Sequence, residues 1–138
     1  PPQVSIGKAA TVRNGRDVTV VTYGAMVPVA ISAAATLARE GIEIEVIDLR
    51  SLQPWDEKVV LGSLAKTHRL VIVHEAVEAF GPGAEIAARV VDIGFDELDA
   101  PIVRVGAPFM PPPFAKNLEE HFRPNAERII AAVRRVMA

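Results

Sequence analysis

Short β-prone runs alternate with stretches of helical apolar spacing, and this alternation leaves the chain very few architectures. Residues 17–23 (DVTVVTY) are β-branched and almost continuously apolar, as in a strand covered on both faces. Gly24 breaks the run. Val27, Ile31, Ala34, Ala35 and Ala38 then recur at helical spacing, with Pro28 tolerated in the first turn and Gly41 placed as a left-handed cap. Residues 42–49 (IEIEVIDL) read as a second strand. A helix follows that begins near residues 53–57, with Asp56 as its cap and Val59, Val60 and Leu64 turned inward. Residues 69–74 (RLVIVH) form a further strand. The Gly81-Pro82-Gly83 turn opens a helix over 84–91 that runs on toward Phe95, and residues 101–105 (PIVRV) make a short strand.

Such alternation with short connections predicts an α/β fold: three layers, α/β/α, around a five-stranded and mostly parallel sheet. The segment 8–12 ahead of Asn14-Gly15 stands apart. An Asn-Gly pair between β-prone runs is a hairpin signal, so this strand is expected antiparallel to its neighbour. Five of the 11 prolines lie in residues 101–113, where Pro111-Pro112-Pro113 enforces an extended connection. A short helical turn is predicted over 117–122. An amphipathic helix over 124–137 follows, with Ile129, Ile130, Val133, Val136 and Met137 on one face. At 138 residues the chain suits one compact domain, about 14 Å in radius of gyration, with no internal boundary.

Composition excludes several functions. Fifteen basic against 17 acidic residues give a net charge of −2, without a basic run to neutralise phosphates, which argues against nucleic acid or an anionic membrane as partner. The absence of cysteine removes disulfides, thiolate chemistry and cysteine-based metal sites, and fits a reducing compartment. No apolar run is long enough to span a bilayer. The three histidines, His68, His74 and His121, are too few and too scattered for a metal site. His74-Glu75 opens like a zincin motif, but Glu78 stands where the second histidine belongs. After Tyr23 there is one glycine where a dinucleotide fold needs three. The Gly81-Pro82-Gly83 turn has lost an amide donor to proline, and no serine sits in a nucleophile elbow.

Two groups of residues deserve a functional reading. In an open parallel sheet ligands bind beyond the carboxyl ends of the strands, where this chain carries Asp48, Arg50, His74 and Glu75. They admit a small-molecule site. They equally admit a hydrogen-bonded polar cluster or a seam against another domain, and the lack of a nucleophile or phosphate loop favours that second reading. The other group is Asp96, Glu97 and Asp99, three carboxylates within four residues, readable as a solvated loop or as a docking patch for a basic partner. Trp55, the single tryptophan, is a candidate packing lid or interface anchor.

Several motifs, in order along nearly the whole chain, resemble one family. They are Gly7-Lys8-Ala9, Val20-Val21-Thr22-Tyr23-Gly24, the run from Ile47 through Asp48-Leu49-Arg50-Ser51-Leu52-Gln53-Pro54-Trp55-Asp56, and Lys66-Thr67-His68-Arg69-Leu70. They continue with Val73-His74-Glu75-Ala76, Gly83-Ala84-Glu85-Ile86-Ala87, Asp99-Ala100-Pro101 and Pro113-Phe114-Ala115. The resemblance is to the C-terminal, transketolase-like domain of beta subunits of thiamine-diphosphate-dependent 2-oxo acid dehydrogenases, the E1 components of the pyruvate, branched-chain and acetoin systems. The chain departs from the family at Ala79-Phe80-Gly81-Pro82, where relatives often carry a glycine-rich run.

What the resemblance implies is a single domain, residues 1–138, corresponding to the second of the family's two beta-chain domains, with the pyrimidine-binding domain outside this sequence. It implies a five-stranded mixed sheet with one antiparallel strand near the N-terminus. It also implies that thiamine diphosphate and magnesium belong to the parent enzyme and are not bound here, so no catalytic, cofactor or metal residue is assigned to this chain. Implied partners are the E1 alpha subunit, a second beta subunit and the basic subunit-binding domain of the E2 acyltransferase. For that E2 domain, Asp96, Glu97, Asp99 and the terminal carboxylate of Ala138 are the candidate contacts. The expected location is the cytoplasm, or the mitochondrial matrix in a eukaryote. Two alternatives remain: an autonomous flavodoxin-like ligand-binding domain acting through the strand-end cluster, and the corresponding domain of another transketolase relative such as deoxyxylulose-phosphate synthase.

Overall fold

The computed structural model describes residues 3–111 and 114–138, with the side chains of residues 119 and 121 left aside. Five strands form one sheet: β1 (Ala10–Arg13), β2 (Val18–Thr22), β3 (Ile44–Asp48), β4 (Leu70–Val77) and β5 (Val103–Ala107), in the spatial order β1-β3-β2-β4-β5. Only β1 runs antiparallel, paired with β3, and the other pairs are parallel. Helices α1 (Met26–Arg39), α2 (Glu57–Thr67), α3 (Pro82–Gly94), α4 (Lys116–Phe122) and α5 (Ala126–Met137) complete the chain, with a 3-10 turn at Phe95–Glu97 after α3. Among the described residues no helix is long and apolar enough to cross a membrane.

Strand alternation sorts the core into two layers. Val18, Val20, Ile44, Val46, Val71, Val73, Val103 and Val105 face α1 and α5. Val21, Ile47, Leu70 and Ile72 face α2 and α3. The near-continuous apolar strands are therefore a requirement of a sheet covered on both sides. Helix α5 presents Ile129, Ala132, Val133 and Val136 to the sheet, while Ile130 and Met137 lie at the margin of that core.

The helix ends follow their sequence signals. Asp56 accepts the Val59 N–H at the start of α2 (3.3 Å), and its second oxygen takes the Ala9 N–H (3.0 Å), so one capping carboxylate also tethers the approach to β1. Asn125 caps α5 by accepting the Arg128 N–H, Pro82 sits in the first turn of α3, and Gly41 takes φ +81° just past α1. Inside the sheet–α2 layer, Thr19 Oγ1 bonds Ser63 Oγ (2.6 Å) and Thr67 Oγ1 (2.7 Å), which explains Ser63 without catalysis.

Three expectations need correction. The Asn14-Gly15 turn does not close a hairpin. β1 pairs with β3, and the 14–17 segment passes across the start of β3 so that β2 emerges on its far side. Arg16 and Asp17 N–H groups both donate to Glu43 O, and a Cβ on Gly15 would fall 2.3 Å from the Ile44 carbonyl carbon, so glycine there serves a close crossing. The strand expected over 69–74 runs on to Val77 through a bulge, since Val73 pairs with Val105 but Val77 with Ala107. The last strand starts two residues later than expected, at Val103. The triple proline lies partly outside the described residues.

Candidate functional site

At the carboxyl ends of the strands the four candidate residues do not converge. β3 and β4 flank β2, so Asp48 and His74 are separated by an intervening strand. Asp48 Oδ1 accepts the Arg50 N–H (3.1 Å), a local turn contact, with the Arg50 side chain 3.9 Å away. Glu75 is exposed. His74, only 1% exposed, lies within the β4 bulge on the α3 side of the sheet.

The His74 contacts define its ring. Nδ1 lies 3.0 Å from Ala76 O, which can only accept, so Nδ1 carries the proton. Nε2 then accepts the Gly83 N–H (2.9 Å) at the start of α3. Burial holds this imidazole below its ordinary value and the Arg104 charge pushes the same way, while the Ala76 bond and Glu78 oppose them. The Tyr23 ring packs beside it at 6.1 Å, and burial followed by the Glu75 charge raises the Tyr23 hydroxyl. The helix N-terminus that follows the glycine turn, where a phosphate would seek an N–H, is thus taken up by a histidine.

The opposite end of the sheet is arranged differently. Asp96 and Glu97 lie in the 3-10 turn, and the Asp99 N–H donates to His68 O (2.8 Å). His68 closes α2 in a left-handed conformation (φ 62°), and its Nδ1 meets Glu97 O at 2.8 Å and Glu97 Oε2 at 3.5 Å. The next residue, Arg69, donates Nε–H to Val136 O (3.0 Å) in the last turn of α5. The acidic turn and the end of α5 are therefore both fastened to the same short α2–β4 connection, with Asp96, Asp99 and Ala138 exposed.

Beside the acidic turn runs an open groove of about 830 Å³ walled by Ala87, Val91, Phe95, Leu98, Pro101 and Ile102, with Asp99 at its edge. The sequence reading missed this groove. Its signal was the apolar residues on the outer side of α3 and just beyond it, since Val91 and Phe95 stay 46% and 66% exposed. Trp55 is half-buried against the α2–α3 layer. Among the described residues no group of three His, Asp or Glu side chains gathers as a metal site would need.

A family model described as transketolase, C-terminal domain, matches residues 7–129. The chain is 46% identical over 134 residues to the beta subunit of an acetoin:2,6-dichlorophenolindophenol oxidoreductase from Cupriavidus necator, covering 97% of this chain and 40% of that protein. It is 47% identical over 130 residues to a mitochondrial pyruvate dehydrogenase E1 component subunit beta from Arabidopsis thaliana, covering 94% of this chain and 36% of the relative. The chain thus spans about two-fifths of the curated relatives it matches. Among solved structures, a split-gene transketolase described as an inactive beta4 tetramer superposes with a TM-score of 0.86 at 29% identity, over 99% of this chain and 43% of that one. A Pichia stipitis transketolase, at TM-score 0.65 and 17% identity, shares the fold. With the family pattern running through nearly all of its elements, the chain belongs to the transketolase C-terminal domain family.

Proposed function

We propose that this chain is the C-terminal domain of the beta subunit of a thiamine-diphosphate-dependent 2-oxo acid or acetoin dehydrogenase E1 component. Its role is assembly and docking. Similarity to such beta subunits over nearly all of this chain carries the reading. The parent enzyme would oxidatively decarboxylate a 2-oxo acid, or cleave acetoin, and pass the acyl group to lipoyl-E2. It would reside in the cytoplasm or, in a eukaryote, the mitochondrial matrix.

Among the described residues we find no fit for thiamine diphosphate and magnesium. The glycine turn before α3 has Pro82 in place of a donor, and its Gly83 N–H is already given to His74. Among the described residues no three His, Asp or Glu side chains gather there or elsewhere as a metal site. We propose that the chain alone performs no decarboxylation. Turnover by the isolated chain supplied with both would overturn this.

The parts left for this domain are surfaces for the E1 alpha subunit, a second beta subunit and E2. Asp96, Glu97, Asp99 and the Ala138 carboxylate would receive the basic subunit-binding domain of E2. Their placement around one connection supports this, because bonds to backbone carbonyls hold the turn and the end of α5 while Asp96 and Asp99 stay exposed. Binding of that E2 domain, measured by calorimetry, should weaken steeply as salt rises toward 1 M, where the Debye length is ~3 Å. Asp99→Asn should weaken it about tenfold at low salt. Binding indifferent to both changes would sink the docking assignment.

A further inference from the structure

We propose that His74 is a proton-operated latch that holds the loop presenting Phe80 in place while its ring is neutral and releases that loop when the ring is protonated. The inference does not rest on the docking role proposed above.

The geometry is that of a closed fitting around one imidazole. His74 lies in the β4 bulge and binds both its own strand, at Ala76 O, and the amino end of α3, at Gly83 N. Three glycines make room for it. A Cβ on Gly83 would stand 2.6 Å from Nε2, and on Gly106 3.0 Å from Cε1; on Gly81 it would stand 3.4 Å from Cε1 while colliding with Val77 O at 1.9 Å. The ring has no space to turn away.

Between the two fixed ends runs the loop. At one end Glu78 N–H donates to Ala107 O (2.8 Å) and Glu78 O accepts from Arg104 Nη1; at the other, His74 holds Gly83. Phe80 lies between them in a left-handed conformation (φ 62°), 92% exposed, edge-on to Phe109 with ring centroids 6.0 Å apart. A phenylalanine at positive φ needs its surroundings to impose that conformation.

Protonation at Nε2 turns the acceptor into a donor facing another donor, the Gly83 N–H, and places a positive charge at the positive end of α3. Both effects oppose the closed state. The charged or titratable groups around the ring are Glu78 in the loop, Arg104 on β5, Tyr23 beyond β2, exposed Glu75 on β4 and exposed Glu85 in the first turn of α3. Of these, Glu78 favours the imidazolium and Arg104 opposes it. Burial adds to the opposition, so the latch stays shut at neutral pH and opens only below the ordinary imidazole range.

The test is amide exchange and nitrogen-15 NMR of the chain across an acid titration, read as protection factors so that intrinsic exchange chemistry cancels. The Gly83 amide should lose protection at least about tenfold as the His74 ring protonates, together with the Ala84 amide, which donates to Gly81 O. His74→Gln, whose amide offers an acceptor and a donor without titrating, should remove this pH dependence. Should that variant not fold, the wild-type ring shifts decide instead. Coincident midpoints for the His74 ring and the Gly83 amide support the latch. Protonation that leaves Gly83 protected, or the same loss in a folded His74→Gln variant, would overturn it.

Discussion

The two ends of the sheet treat their candidate site residues differently. At the carboxyl ends the side chains themselves close the structure: His74 joins a bulge to a helix, and Asp48 folds onto the Arg50 amide. At the amino ends the Asp99 N–H and the His68 and Arg69 side chains close it on the carbonyls of His68, Glu97 and Val136, and the carboxylates of Asp96 and Asp99 stay in water. A polar group whose bonds are spent inside the domain has little left for a ligand. Where open parallel sheets usually recruit a ligand, His74 and Asp48 here spend their bonds inside the domain, and the docking candidates lie at the other end.

Substitutions at the carboxyl end should break that contrast most severely. Gly81→Ala forces a Cβ to within 1.9 Å of the Val77 carbonyl oxygen, a backbone atom with no room to yield. A loss above about 4 kcal/mol, or failure to fold, is expected in chemical denaturation. His74→Ala strands the Gly83 N–H and leaves a cavity, for about 3 kcal/mol. A loss below about 1 kcal/mol would show that the ring is no keystone.

Glu45 tests the amino end from inside. It is 4% exposed, and Lys66 Nζ sits 2.5 Å from its Oε1 while the Gly15 N–H donates to the same oxygen. Burial would raise this carboxyl, but the bonds from Lys66, Ser63 and Gly15 outweigh it and lower the value. A carboxyl depressed in the folded state is protonated first in the unfolded chain. Its stabilisation is therefore full above the ordinary carboxylate range and lost as pH falls through that range to the folded value. Glu45→Gln should cost about 1 kcal/mol at neutral pH, a figure reduced because Lys66 is half exposed, and should flatten the acid side of the stability curve.

Two smaller effects sharpen the comparison. Thr22, at the carboxyl end of β2, is fully buried and its hydroxyl has no partner, whereas Thr19 at the other end of the strand has two. Thr22→Val should leave stability unchanged or raise it by about 1 kcal/mol in thermal unfolding, while Thr19→Val lowers it. Asp96→Asn should change stability by less than about 0.5 kcal/mol and yet weaken binding of a basic partner. A clear stability loss would place that carboxylate among the structural groups.

Much of the architecture was legible along the chain. Apolar runs bounded by Gly24, Gly41 and Asp56 marked strand and helix ends, because caps and left-handed glycines act through neighbours in sequence. The Asn14-Gly15 signal misled because the same dipeptide suits a two-residue hairpin and a close crossing, and only the position of β3 separates the two. The acidic turn was legible as composition. Its fastening to the end of α5 was not, since Arg69 and Val136 are 67 residues apart.

The sequence by itself determined the α/β class, the two-sided core and the helix caps, for these depend on period and local hydrogen bonding. Only the tertiary structure decided that β1 joins β3, that His74 is turned inward to hold α3, and that the acidic turn and the last helix share one connection. Each of those depends on which donor and acceptor, separated along the chain, come within about 3 Å of each other, a distance that folding alone sets.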